Sequence, residues 1–263
     1  MLGRLLPTGG STLLRSLRGS EWSQLADYVS PSFFEVLPAR TLFRQARELT
    51  GNLADSKGFQ EARRHVAERM AALGRPIEIG GKSGAPSPGT GDLDEAARRE
   101  RGRRVLEIYF GQLTGADVAL LDLRADRFAG DGDRLRWSPR ALWLRWDPDF
   151  LVSVRDLYAG FYEDDAVRFR RALGALEIAP AEDLLRAHFG LGDQSAVRFE
   201  SAAFHATFHE IFVRCRDAGV RLHGNFVALG IYLACLYDHL ETLDLELDVR
   251  SAYRFATAPE RGA

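Results

Sequence analysis

From residue 150 to residue 243 the chain carries one helical pattern after another. Segments 150–162, 164–176, 181–189, 198–218 and 225–243 place apolar residues at three- and four-residue steps, parted by short polar or glycine breaks. That run commits the second half of the chain to helices. It contains no internal repeat and no coiled-coil heptad run. Upstream, 39–49 and 59–73 show the same periodicity and are broken by Gly51-Asn52 and Gly74. Residues 75–92 are dense in Gly, Pro and Ser and read as a linker or long exposed loop. Beyond it, Asp92 and Glu95 form a capping signal for a helix running to about residue 110. Three short runs read as strands: 118–123, 134–137 and 141–146, the last alternating through Leu142, Leu144 and Trp146. The expected fold is mainly α with a small β element, an α+β arrangement. Its expected parts are a helical N-terminal region (1–74), the linker (75–92), a helix-rich main domain (93–256) and a tail (257–263).

The chain has 263 residues, enough for one large domain or two small ones with a real core. Its 35 basic residues against 37 acidic ones give no electrostatic case for nucleic-acid binding. Cys215 and Cys235 both fall in apolar helical patterns, which argues against a disulfide-stapled secreted domain. The longest apolar run, 226–237, is well short of the ~20 residues needed to span a bilayer. A soluble, intracellular, cytoplasmic protein is the expectation. Residues 1–20 carry Arg4, Arg15 and Arg18 and no acid, the pattern of a transit peptide or of an amphipathic segment that makes the protein peripheral to a membrane. A frayed basic terminus is the competing reading, because Pro7, Gly9 and Gly10 would break a helix there. Lys57 and Lys82 are the only lysines, which reflects base composition rather than arginine chemistry.

Several constellations are candidates for chemistry. His205 and His209 lie one helical turn apart with Glu210 beside them, and His239 follows on the next long helix with Asp238 and Glu241. Histidines at i and i+4 share a helix face and can share a metal, with a third ligand from a neighbouring helix. Against this, Phe204, Phe208, Ile211 and Cys215 form the apolar stripe and leave both histidines on its flank, as boundary residues of a packed interface. Glu107, Gln112 and Asp122 form a second set. A kinase-type site needs a carboxylate to accept the substrate proton, an amide five residues on to hold a metal, and an Asp at a strand end to hold the metals bridging the phosphates. The spacing echoes that plan, but Glu and Gln are each a methylene longer than the residues that chemistry uses, and apart from it the three read as ordinary surface polar residues. GGKSG (80–84) lacks the glycine spacing and following helix of a phosphate loop. In LHGNF (222–226), Gly219 as a helix C-cap and Asn225 as the next N-cap suffice.

From residue 107 to about 249, a little over half the chain, the sequence resembles the carboxyl lobe of the AarF/UbiB family of atypical, protein-kinase-like proteins. ALLDLRADRF resembles the family's strand and metal-binding loop, keeping Asp122 but with Leu123-Arg124 in place of Phe-Gly. SPRALWLRWDPDFLVSVRDLYAGFYEDDAVRFRRALGALEI resembles the helices that follow, with their acidic break at Glu163-Asp164-Asp165. CRDAGVRLHGNFVALGIYLACLYDHLETLDLELDV resembles the terminal helix pair. The departures fall on the chemistry. The family's His-x-Asp is Val105-Leu106-Glu107 here, its Asn is Gln112, and its ATP-binding lysine has no counterpart. Its Lys-x-Gly-Gln signature is echoed only by YFGQ (109–112), with Tyr109 for the lysine. The resemblance implies a helical kinase-C-lobe-like domain in a truncated, degenerate relative, and a setting in quinone and isoprenoid-lipid biology at membranes.

Three functional readings follow. The first is a non-catalytic, pseudokinase-like binding or regulatory module with no cofactor, a protein partner, and peripheral membrane or lipid association. Its Glu107, Gln112 and Asp122 are a degenerate, inactive site; ATP with Mg is the alternative cofactor. Asp122→Ala is then expected to leave stability and activity nearly unchanged. The second is a metal-dependent helical enzyme with zinc or iron on His205, His209 and His239. The third is a structural subunit of a larger assembly. There the aromatics of 137–162 (Trp137, Trp143, Trp146, Phe150, Tyr158, Phe161 and Tyr162) are either core or a docking surface.

Overall fold

The computed structural model describes residues 37, 39–80, 93–130, 135–189 and 196–258. The basic stretch 1–20, the tail beyond 258 and all of GGKSG after Gly80 lie outside the described residues. Helices α1 (Ala39–Ala54) and α2 (Ser56–Ala72) open the fold. Gly51-Asn52 does not break α1. Asn52 donates to the Trp143 carbonyl at 2.9 Å while the Trp143 indole donates to the Asn52 carbonyl at 3.2 Å. This reciprocal pair offsets the glycine's cost of up to about 1 kcal/mol in a helix. Asp55 caps α2 through the amides of Lys57 and Gly58.

Residues 75–80 belong to the fold. Strand β1 (Glu78–Ile79) runs parallel to β4 (Arg136–Trp137), whose other edge pairs antiparallel with β3 (Phe128–Ala129). Ile77 and Ile79 are buried, and Arg104 donates to the Pro76 carbonyl at 3.0 Å. Helix α3 (Glu95–Gly115) is capped by Asp94, which accepts from the Ala97 amide at 2.8 Å. The cap lies two residues later than the sequence suggests, and the helix extends five residues past 110. Strand β2 (Val118–Leu120) pairs antiparallel with β5 (Trp143–Arg145), Ala119 facing Leu144.

The second half is helical as expected: α4 (Pro148–Tyr162), α5 (Ala166–Ala175), α6 (Glu182–Phe189), α7 (Ser201–Asp217), α8 (Phe226–Glu241) and α9 (Val249–Thr257). Nine α-helices and three small sheets among the described residues make the protein mainly α with a small β element. Between α6 and α7, residues expected to begin a helix at 198 instead form β6 (Ala196–Arg198), antiparallel to β7 (Glu246–Asp248). Helix α7 starts at Ser201 because Glu241, from α8, accepts the Ser201 amide and hydroxyl and so caps it across space. Gly219 ends α7 as expected, at φ +71°, with the Val220 amide returning to the Cys215 carbonyl. Asn225 holds the N-cap position of α8 as expected, but its side chain does not cap the helix. Its side-chain oxygen accepts the Asp147 amide at 2.8 Å and ties that turn to the start of α4.

One core holds these elements together. Helix α8 is buried along nearly its whole length, with α3, α7 and the 125–127 turn packed against it. Phe59, Val66 and Met70 of α2 are fully inside, so the N-terminal helices share the core of the main domain. Trp137, Trp146, Phe150, Tyr158 and Tyr162 are core residues, with Trp143 and Phe161 packed at its edge. The aromatic cluster is therefore packing, not a docking face. Cys215 and Cys235 are free and buried. Among the described residues no helix is long and apolar enough to cross a membrane.

Candidate functional site

The loop after β2 carries Asp122, and four elements converge to hold it. Leu123 donates its amide to the Leu121 carbonyl, a tight turn that aims the Asp122 side chain inward. The Leu123 carbonyl accepts from Nδ1 of His239 at 2.8 Å, and the Asp122 carbonyl accepts the Trp137 indole N–H at 2.8 Å. The Asp122 carboxylate, fully buried, is gripped by Arg124: Nε donates to Oδ1 at 2.7 Å and Nη2 to Oδ2 at 3.0 Å. The Arg140 amide also donates to Oδ2 at 3.0 Å, and Arg127 Nε stands 3.4 Å from the same oxygen. A guanidinium thus occupies the face of the carboxylate that a magnesium ion would need. The Leu123-Arg124 replacement in the sequence carries this outcome. Arg124 is the residue the sequence reading undervalued, and its signal was a cation two positions from the acid.

Glu107 and Gln112 do not join Asp122. Both sit on α3, where five residues of helix turn them about 140° apart. A catalytic loop, which would let both face one phosphate, is replaced by continuous helix. Glu107 is buried among Arg103, Arg75 at 3.6 Å and Arg104 at 3.7 Å. Burial pushes its carboxyl above the usual range, against the pull of these arginines. Gln112 is spent on structure. Its side-chain oxygen accepts the Leu120 amide at 2.8 Å, and its nitrogen donates to the Tyr232 hydroxyl at 2.6 Å and, more weakly, to the Leu120 carbonyl at 3.4 Å. Gln112 therefore joins β2 to α3 and α8. Gln112→Met keeps the volume but strands the buried Leu120 amide, so a loss of about 2 kcal/mol is expected in urea unfolding. An unchanged unfolding midpoint would refute that role. The residues present do not fit ATP with magnesium.

The histidines are also apart. His239 is fully buried against Leu123 and the Phe128 ring, 4.8 Å between centroids. His205 is half-buried and His209 exposed on α7, next to Phe204, which packs on Tyr237. Among the described residues no three His, Cys, Asp or Glu side chains converge to hold a metal ion. The three histidines do not form the expected ligand set, because α8 turns His239 toward the Asp122 loop while α7 meets α8 near Tyr237.

Burial, with Arg101 adding to it, pushes His239 down to about 3, and burial pushes His188 down to about 4. Burial also pushes the Asp238 carboxyl up to about 6. As pH falls below about 6.5 the unfolded histidines take up protons that the folded ones refuse, so each contributes stability that is complete above that pH and shrinks below it. Asp238 works in the opposite sense between pH 6 and its ordinary value of 3.8, since the folded form binds its proton first. From these three groups, two histidines against one carboxylate leave stability falling by about 1 kcal/mol per pH unit between pH 6 and 4. His239→Asn keeps a donor for the Leu123 carbonyl. It should flatten the measured slope by about that amount in urea melts at pH 4, 5 and 6.

No protein-family model matches the sequence, and no curated protein is significantly similar to it.

Proposed function

We propose that this chain is a non-catalytic binding or regulatory module rather than a phosphotransferase. One observation carries the reading: both oxygens of Asp122 are taken by Arg124 and the Arg140 amide, within a carboxylate that has no solvent exposure. Phosphoryl transfer works by positioning metal and phosphate against open carboxylates. An acid neutralised by its own loop supplies neither. The sequence resemblance of residues 107–249 to the AarF/UbiB carboxyl lobe supports a related scaffold. On that resemblance the proposal includes a setting in quinone and isoprenoid-lipid biology, with a protein as partner. Separation of Glu107, Gln112 and Asp122 onto different contacts agrees with a scaffold kept for binding.

A thermal-shift series with ATP-Mg, ATP-Mn, EDTA and added zinc or iron tests the reading. A ligand at 100 times its dissociation constant stabilises a fold by about 2.7 kcal/mol. The expected result is no shift with nucleotide and none with metal or chelator. A rise with ATP-Mg that Arg124→Ala strengthens would sink the proposal, since freeing the carboxylate would then be freeing a nucleotide site. A fall with EDTA reversed by one metal would favour the histidine enzyme instead.

A further inference from the structure

Helices α3, α4, α6, α8 and α9 and strand β6 line a partly open cavity of about 40 Å³. Its polar wall is Tyr109, Tyr158, Tyr162, Tyr237 and His188, and the rest is aliphatic or phenyl. The rings brace one another: Tyr158 stacks on Tyr162 at 6.1 Å and meets Phe189 at 5.3 Å, and His188 stacks on Tyr237 at 5.7 Å. His188, Phe189 and Val197 are half-buried, so the cavity reaches the surface between α6 and β6.

The phenol protons do not balance. The Tyr232 hydroxyl accepts from Gln112 and donates to the Tyr109 carbonyl, and Tyr237 pairs with Nε2 of His188 at 3.1 Å. Tyr109 and Tyr158 share one hydrogen bond, 2.6 Å between their oxygens. Two hydroxyls hold two protons and that bond uses one, leaving one O–H donor in the cavity wall with no acceptor among the described residues. A buried donor left unmade costs about 1–3 kcal/mol, so an acceptor is wanted there. No carboxylate lines the cavity, and burial pushes the His188 imidazole down to about 4. A cation would leave that proton unmatched, although aromatic walls alone would suit one.

We infer that this cavity is a binding site for the oxygen-bearing end of a small, neutral, apolar molecule. The carbonyl, ether or alcohol oxygen accepts the spare proton of the Tyr109/Tyr158 pair. The cavity volume holds about three water-sized groups. That matches the oxygen and adjoining carbons of a short-chain ketone, with the remaining carbons directed to the mouth at His188 and Val197. The inference rests on the binding-module reading for its purpose. Occupancy is measured without nucleotide, so a nucleotide response would overturn that reading and leave this site standing.

The test titrates the full chain, followed by NMR of the tyrosine rings, with 2-butanone, its methylene isostere 2-methyl-1-butene, and tetramethylammonium. Both neutral probes should shift the cavity rings, and the ammonium should not. In Tyr109→Phe/Tyr158→Phe the ketone-to-alkene affinity ratio should fall about fivefold or more, while the alkene still binds. Loss of both probes would mean the variant no longer folds. The wild-type measurement then decides, through the infrared carbonyl stretch of bound 2-butanone: at the frequency of a phenol-bonded ketone it supports the site, at that of a ketone in alkane it overturns it. The inference is also overturned if no neutral probe binds, so that the cavity holds only water, if the ratio is unchanged in the variant, or if only the ammonium binds.

Discussion

Replacing Asp122 with alanine is expected to destabilise the fold by about 3–5 kcal/mol, the cost of breaking a buried ion pair from one side. The sequence alone suggests a neutral change, on the ground that a degenerate metal site has nothing left to lose. The tertiary contacts reverse that expectation. Arg124 and Arg127, with side chains 8% and 3% exposed, both lie within 3.4 Å of the carboxylate. Without it, Arg124 loses the carboxylate that holds its Nε and Nη2, Arg127 is left to Asp126 at 3.0 Å, and the Arg140 amide loses its acceptor. The pair itself is no large stabiliser, because taking both charges from water offsets most of their attraction. Asp122→Ala combined with Arg124→Met should therefore recover much of the loss. Equilibrium urea unfolding of the two variants checks this: a single variant within 1 kcal/mol of the parent would show that the carboxylate is dispensable. Asp122→Asn should fall between, keeping the shape and one acceptor but not the charge.

Gly160→Ala should cost about 3 kcal/mol or more, at or above the upper end of overpacking effects. Gly160 lies on α4 where α5 crosses it, and an ideal Cβ there would stand 2.4 Å from the Phe169 amide nitrogen and 2.6 Å from its Cα. Those atoms are backbone of α5 and do not rotate away as a side chain would. The two helices form the most extensive helix pair in the fold, and Phe169, fully buried, is its central residue. Relief requires moving α5 bodily, with loss of the Phe169 packing. Gly174→Ala on the same helix is the matched control, because nothing lies within 4 Å of its Cβ position. There the change should be neutral or stabilising by up to about 1 kcal/mol, from helix propensity alone. Thermal unfolding of the two variants should move in opposite directions or differ by several degrees. Equal midpoints would show that α5 yields without cost.

The candidate site was partly legible for a physical reason that its residues illustrate. Asp122 reads as important because it ends an apolar strand, and the strand is where the periodicity puts it. What the acid does depends on Arg127 and on the Arg140 amide, which approach from five and eighteen residues away, and no local pattern encodes that approach. Glu107 and Gln112 show the opposite failure. Their five-residue spacing is a loop signature only if the chain is a loop, and helical propensity through 95–115 decides otherwise. Tyr109 and Tyr158 carry no motif at all; only packing brings their hydroxyls together.

By itself the sequence determined the element types of the helices α4 to α8, where apolar periodicity extends over two or more turns, and the strands at β2, β4 and β5. It also determined the glycine stop at Gly219, whose left-handed backbone needs no partner. Those features are local, set by side-chain burial on one face and by backbone sterics, so neighbours along the chain suffice to specify them. Tertiary structure alone decided the rest. It let α1 run through Gly51 on the Asn52–Trp143 pair, started α7 at Ser201 with an acid from α8, and turned Asp122 from a metal ligand into half of an ion pair. In each case the deciding partner is a hydrogen-bonding or charged group distant in sequence. Burial makes such a partner necessary, because a polar group taken out of water must find a mate or not be buried at all.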